Sequence, residues 1–142
     1  MRIDFYLLGE YKTPAQVILS LVNKGFQAGW RIGIHIDDTD FINMIDESLW
    51  TYANSSFIPH KIIKTTRCQS SVEMVMLFHQ APDDINTLDY FINCTTATTS
   101  YSNPGGRLAE IVQFDEAAKK AGRQRYMYYR EQAHEINHHT IL

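Results

Sequence analysis

The chain has 142 residues, of which 44% are hydrophobic, with two cysteines and a formal net charge of −3. That length fits one domain, residues 1–142, with enough apolar material for a core, and the widely spaced Cys68 and Cys94 suggest neither a disulfide framework nor a zinc knuckle. The acidic balance argues against wholesale binding of phosphate backbones, and with no apolar run long enough to span a membrane and no signal-like start, a cytoplasmic protein is expected.

Residues 3–8, IDFYLL, are the apolar and aromatic run of a buried strand. Thr13 then offers a helix cap, Pro14 a first helical position and Gln16 the return half of a capping box. Val17, Ile18, Leu21 and Val22 follow at helical spacing, so a helix of about four turns is expected. WRIGIHI, residues 30–36, alternates like a strand, and Asp37, Asp38 and Thr39 can cap a helix lined by Phe41, Ile42, Ile45 and Leu49. Residues 55–71 are polar and contain Pro59, which reads as an irregular connection returning to the sheet. Two more buried strands are expected at 73–79 and 88–94, a loop at 95–106, a last strand at 108–114 and a helix from Asp115 to about Ala133. Strands alternating with helices imply a three-layer α/β/α fold with a mainly parallel sheet of about five strands.

The last helix carries the most informative pattern. Lys119, Arg123, Tyr126 and Arg130 fall at i, i+4, i+7 and i+11, one narrow stripe, while Ala117, Ala121 and Tyr128 lie opposite, as a face packed on the sheet should. Arg125 falls nearer the apolar arc and must snorkel or find a partner. Lys119, Lys120, Arg123, Arg125 and Arg130 are five basic residues with no acidic one among them. A charged stripe is ordinarily a solvated face. Here the absence of i,i+4 carboxylates leaves repulsion along the stripe, which suits an anionic ligand: a carboxylate held by Lys and Arg with an apolar group beside Tyr126.

Other motifs invite chemistry. HEINH, residues 134–138, satisfies the H-E-x-x-H pattern of zinc hydrolases, with His134 and His138 as ligands and Glu135 as base, provided the segment is helical. Tyr126, Tyr128 and Tyr129 beside the basic stripe could bind single-stranded DNA directly. Asp37, Asp38 and Asp40 could hold Mg²⁺, although capping explains them more cheaply. Trp50 and Phe57 flank a turn followed by Pro59 and His60; core closure accounts for Trp50, whereas an exposed Phe57 would be an anchor for a partner. His60 is expected to bond backbone rather than to catalyse. No phosphate loop, dinucleotide fingerprint or nucleophile elbow occurs, so no catalytic residue, cofactor or resident metal is implied.

Taken in order and spacing, FYLL, DESLW followed by SFIPH, FINC, RLAEIV and RQRYMYYR resemble the chi subunit of bacterial DNA polymerase III, from about Ile3 to Ile136. The resemblance implies a Rossmann-like accessory protein of the clamp loader, without a nucleotide site or an activity of its own. It implies binding of the acidic C-terminal tail of single-stranded-DNA-binding protein through Lys119, Arg123 and Tyr126, on a stripe that Arg130 continues. It further implies, where a psi subunit exists, a contact at Phe57 in the surface that holds Trp50, Pro59 and His60. By the same resemblance the last helix ends near Ala133 and the following residues fold back as a short strand, which would dissolve the zinc motif. Two departures stand out: the connection after Phe114 is short, and Gly122 sits inside the helix, where it weakens the helix by roughly 1 kcal/mol relative to Ala.

Overall fold

The computed structural model describes residues 1–51, 58–68 and 72–142. Seven strands form one sheet: β1 (Arg2–Leu8), β2 (Ile32–His35), β3 (His60–Ile63), β4 (Val75–Phe78), β5 (Tyr90–Asn93), β6 (Arg107–Val112) and β7 (Glu135–Ile141). Among the described residues three α-helices accompany them: α1 (Pro14–Gln27), α2 (Thr39–Thr51) and α3 (Glu116–Glu131). The order across the sheet is β3-β4-β2-β5-β6-β1-β7, and every neighbouring pair runs parallel. The architecture is thus the expected three-layer fold with two strands more than anticipated. β3 lies inside the segment read as irregular, where four residues with polar flanks gave little period-2 signal. β7 is a half-exposed edge strand whose histidines and Asn dilute its apolar pattern.

The caps that the sequence announced are formed. Thr13 accepts from the Gln16 amide at 3.3 Å while the Gln16 side chain accepts from the Thr13 amide at 3.1 Å, closing the capping box of α1. Asp38 accepts from the Phe41 amide at 2.9 Å at the start of α2, which gives the acidic cluster there its capping role. Asp115 accepts from the Ala118 amide at 2.8 Å and opens α3.

Parallel strands covered on both faces need apolar side chains at nearly every position, and β4 and β5 are buried throughout. On one face α1 and α2 pack Val17, Ile18, Ile42, Ile45 and Leu49 against Ile32, Ile34, Leu77 and Ile92. On the other, Ile3, Phe5, Leu108, Val112 and Phe91 pack with Tyr129 of α3. Gly33 is required at the centre of the second face: a Cβ there would stand 2.5 Å from Leu88 Cδ1 and 2.7 Å from Phe78 Cε2. Gly122 has the same logic, because a Cβ would lie 3.0 Å from Val112 Cγ2, so the residue that weakens α3 locally also lets the helix approach β6.

β1 and β6 are neighbours, yet the chain leaves them in opposite directions. From β1 it passes through α1 to β2; from β6 it passes through α3 to β7 at the far edge. Right-handed crossovers in opposite senses must use opposite faces, and a crevice opens where they diverge, at the carboxyl ends of the two strands.

Candidate functional site

α3 does not turn toward the sheet the face first assigned to it. Its buried residues are Gly122, Arg125 and Tyr129; Ala117 is exposed, Ala121 half-buried, and Tyr128 45% exposed. Arg125, expected near the apolar arc to snorkel or find a partner, does the second and sits at the centre of the buried face. Arg125 is buried because β6 supplies Glu110: Arg125 Nε lies 3.3 Å from Glu110 Oε2, Tyr129 donates its hydroxyl to the same oxygen at 2.6 Å, and Arg125 Nη1 donates to the Thr96 carbonyl at 3.2 Å. Burial pushes the Glu110 carboxyl up to about 7, against the opposing pull of Arg125. Glu110 was legible only as the one acid inside an otherwise apolar strand, RLAEIV.

With Arg125 and Tyr129 turned inward, Lys119, Arg123 and Tyr126 line a cavity of about 270 Å³ at the divergence of β1 and β6. Leu7, Leu8 and Val112 give it apolar walls beside the two cations. Lys119 is set over the Phe114 ring, 4.2 Å from its centroid, and lies 3.7 Å from Glu116 Oε1, one acidic neighbour three residues earlier on the helix. Phe114 does not itself line the cavity; its ring lies under Lys119, which does. Among the described residues no carboxylate lies within ion-pair distance of Arg123. Arg130 does not line the cavity; it stands a turn beyond Tyr126 and is exposed.

The short strand implied after α3 is present as β7, but its contribution to the cavity was not foreseen. This strand pairs with β1 with His138 opposite Phe5, and the His138 ring lies 5.1 Å from Tyr126 and 5.7 Å from Phe5. His138 thus lines the same cavity. The zinc reading falls with this finding: Glu135–Ile141 is extended, so His134 and His138 are about 13 Å apart along the chain rather than stacked on one helical turn. Among the described residues no group of three His, Cys, Asp or Glu side chains is gathered to hold a metal ion. The tyrosine platform for single-stranded DNA is also not presented. Tyr129 is 2% exposed and bonded to Glu110, and Tyr126 is half-buried edge-on to Phe5, which leaves Tyr128 as the exposed ring.

The second predicted surface is described in part. Phe57 lies outside the described residues. Trp50 is 51% exposed, so the core-closure reading of it is corrected; its ring lies 4.6 Å from that of His60. Pro59 is exposed. The His60 side chain is wholly buried, with ring nitrogens 2.7 Å from the Ile58 carbonyl and 2.9 Å from the Asp46 carbonyl, so it ties β3 to α2 and has no surface to offer a partner. A larger hollow of about 520 Å³ at the carboxyl ends of β3 and β4 is lined by Lys64, Thr65 and His79 but lacks the convergence of cations on an apolar wall. Cys68 and Cys94 are both free thiols, Cys94 pushed up to about 12 by burial.

The fold is a parallel α/β domain with an apolar cavity flanked by Lys119 and Arg123, and no helix among the described residues is long and apolar enough to cross a membrane. The sequence places it more closely: the model of the DNA polymerase III chi subunit family, HolC, matches residues 1–137, and the chain belongs to that family. The DNA polymerase III subunit chi of Pseudomonas aeruginosa is 26% identical across 99% of this chain and 96% of the relative. That of Escherichia coli K12 is 23% identical across 94% of this chain and 93% of the relative. The protein is accordingly an accessory, non-catalytic subunit of DNA polymerase III with a role in replication.

Proposed function

We propose that this subunit is an adaptor that captures the acidic C-terminal tail of single-stranded-DNA-binding protein and thereby couples the clamp loader to coated single-stranded DNA. The observation that carries the reading is the cavity of α3, β1 and β6, where Lys119 and Arg123 stand beside apolar walls that can take a terminal side chain. Lys119 and Arg123 pair the tail's carboxylates, and Tyr126 packs against its last residue. Because these pairs form at a half-exposed surface, binding is modest and weakens with salt. A psi subunit, in a host that has one, contacts Phe57 together with the exposed Trp50 and Pro59, while His60 supports β3 from inside.

The deciding experiment is a fluorescence-anisotropy titration with a labelled peptide matching the host's single-stranded-DNA-binding protein C-terminus, beside the same peptide lacking its last residue. Saturable binding that disappears on truncation is the expected result. An Arg123→Ala variant that folds normally and binds as wild type would sink the site assignment.

A further inference from the structure

The cavity is not a property of α3 alone. Its remaining titratable side chain comes from β7, the edge strand, where alternation sends Ile136 and His138 to the α3 face and His139 and Ile141 to the α1 face. His139 stacks on Tyr6 with centroids 4.9 Å apart and lies 2.9 Å from Asp4 Oδ1, while Arg2 Nε holds the other Asp4 oxygen at 3.2 Å. Asp4 is 4% exposed, so this pairing is an anchor set inside the sheet. It fixes the register of β7 and thereby the position of the neighbouring His138, whose ring is exposed at the cavity.

We infer that His138 is a third, proton-dependent cationic contact for an acidic peptide bound between Lys119 and Arg123, with His139 and Asp4 as its positioning residues. The inference rests on the tail-binding reading and adds a regulation to the same site. The groups that face His138 make the case. From α3 come Lys119, Arg123 and Tyr126; from β1 come Phe5, Leu7 and Leu8; from β6 come Val112 and Gln113. No carboxylate lines the cavity among the described residues. On its own strand Glu135 lies opposite Arg2 at the far end, and His139 faces away toward Asp4. The unliganded site therefore offers a protonated imidazole no anion, and an acidic ligand brings one. Binding and proton uptake at His138 favour each other by linkage. Imidazole is the side chain that ordinarily changes charge between pH 5 and 8, whereas peptide carboxylates are already ionised through that range.

The test is the same peptide titration repeated at pH 5.5, 6.5, 7.5 and 8.5 with wild type, His138→Gln and Arg123→Ala. Wild-type affinity should rise roughly threefold to fivefold from the highest to the lowest pH, the size expected of one half-exposed ion pair. His138→Gln, which keeps a hydrogen-bonding side chain without the charge, should bind within about twofold of wild type at pH 8.5 and lose most of that rise. If Arg123→Ala abolishes binding but His138→Gln keeps the wild-type pH profile, the assignment of His138 is overturned while the tail reading stands. If wild type fails to bind at every pH, both fall together.

Discussion

Arg125 Nε of α3 lies 3.3 Å from Glu110 Oε2 of β6, with the two side chains 2% and 0% exposed. A buried pair of this kind contributes little over a well-packed apolar substitute, but removing one member strands the other. At pH 8, where Glu110 is ionised, Glu110→Ala should therefore destabilise the fold by about 3–5 kcal/mol, because Arg125 is left as an uncompensated charge that also loses its tether to the α3 side of the sheet. The double change Glu110→Leu with Arg125→Met should recover most of that loss. Chemical denaturation of wild type and the two variants at that pH distinguishes this from simple loss of volume, in which case the double variant would be the worst of the set.

The same carboxyl gives stability a pH dependence whose sign is fixed by burial. Glu110 is raised from an ordinary carboxylate value to about 7, so between about 4.5 and 7 the folded chain holds a proton that the unfolded chain has released. Its contribution is therefore fully present below the unfolded value and is lost as pH rises through 7, a change on the order of 3 kcal/mol if Glu110 acted alone. Denaturation midpoints for wild type should fall from pH 5 to pH 8 more steeply than for Glu110→Gln, which cannot ionise. Parallel slopes for the two proteins would mean that Glu110 stays ionised throughout.

Position relative to the cavity, rather than charge alone, should rank the basic residues of α3. Arg123 lines it with no carboxylate partner among the described residues, Lys119 lines it while also meeting Glu116, and Arg130 stands outside. Peptide affinity should drop about fivefold to tenfold in Arg123→Ala, by less in Lys119→Ala, and by under about twofold in Arg130→Ala. Equal losses in all three would indicate a diffuse field from the whole stripe and no seated ligand. Raising salt should compress these differences.

Much of this site was legible in the sequence because helical period and charge were both on display. Lys119, Arg123 and Tyr126 share a face by spacing alone, and the capping residues Thr13, Asp38 and Asp115 announce themselves by residue type. The orientation of α3 was less legible, since it depends on whether a partner exists for Arg125, and that partner lies fifteen residues earlier in another element. β7 was legible only through the resemblance, which implied a short strand after α3; its histidines carry a familiar local pattern, H-E-x-x-H, and the pairing with β1 shows that His138 belongs to the cavity. Phe57 stays an expectation of the resemblance, since it lies outside the described residues.

The turn that delivers β7 to the site offers the last prediction. Ala133 has φ of 58°, the left-handed conformation at the end of α3 where glycine is the usual occupant, and its Cβ makes that conformation unfavourable. The Ala133 and Gln132 amides both bond back to carbonyls of the last helical turn, so the geometry is held by the helix end. Ala133→Gly should relieve the strain and, after allowing for the greater freedom of glycine in the unfolded chain, stabilise by about 0.5–1 kcal/mol. The midpoint of thermal unfolding should rise by roughly 2–4 °C. Ala133→Val, with a branched Cβ in the same conformation, should instead lose more than about 1 kcal/mol and loosen β7. Scanning calorimetry of both, with peptide titration alongside, tests structure and function together: a Val variant that binds as well as wild type at pH 5.5 would show that the position of β7 does not matter to the ligand.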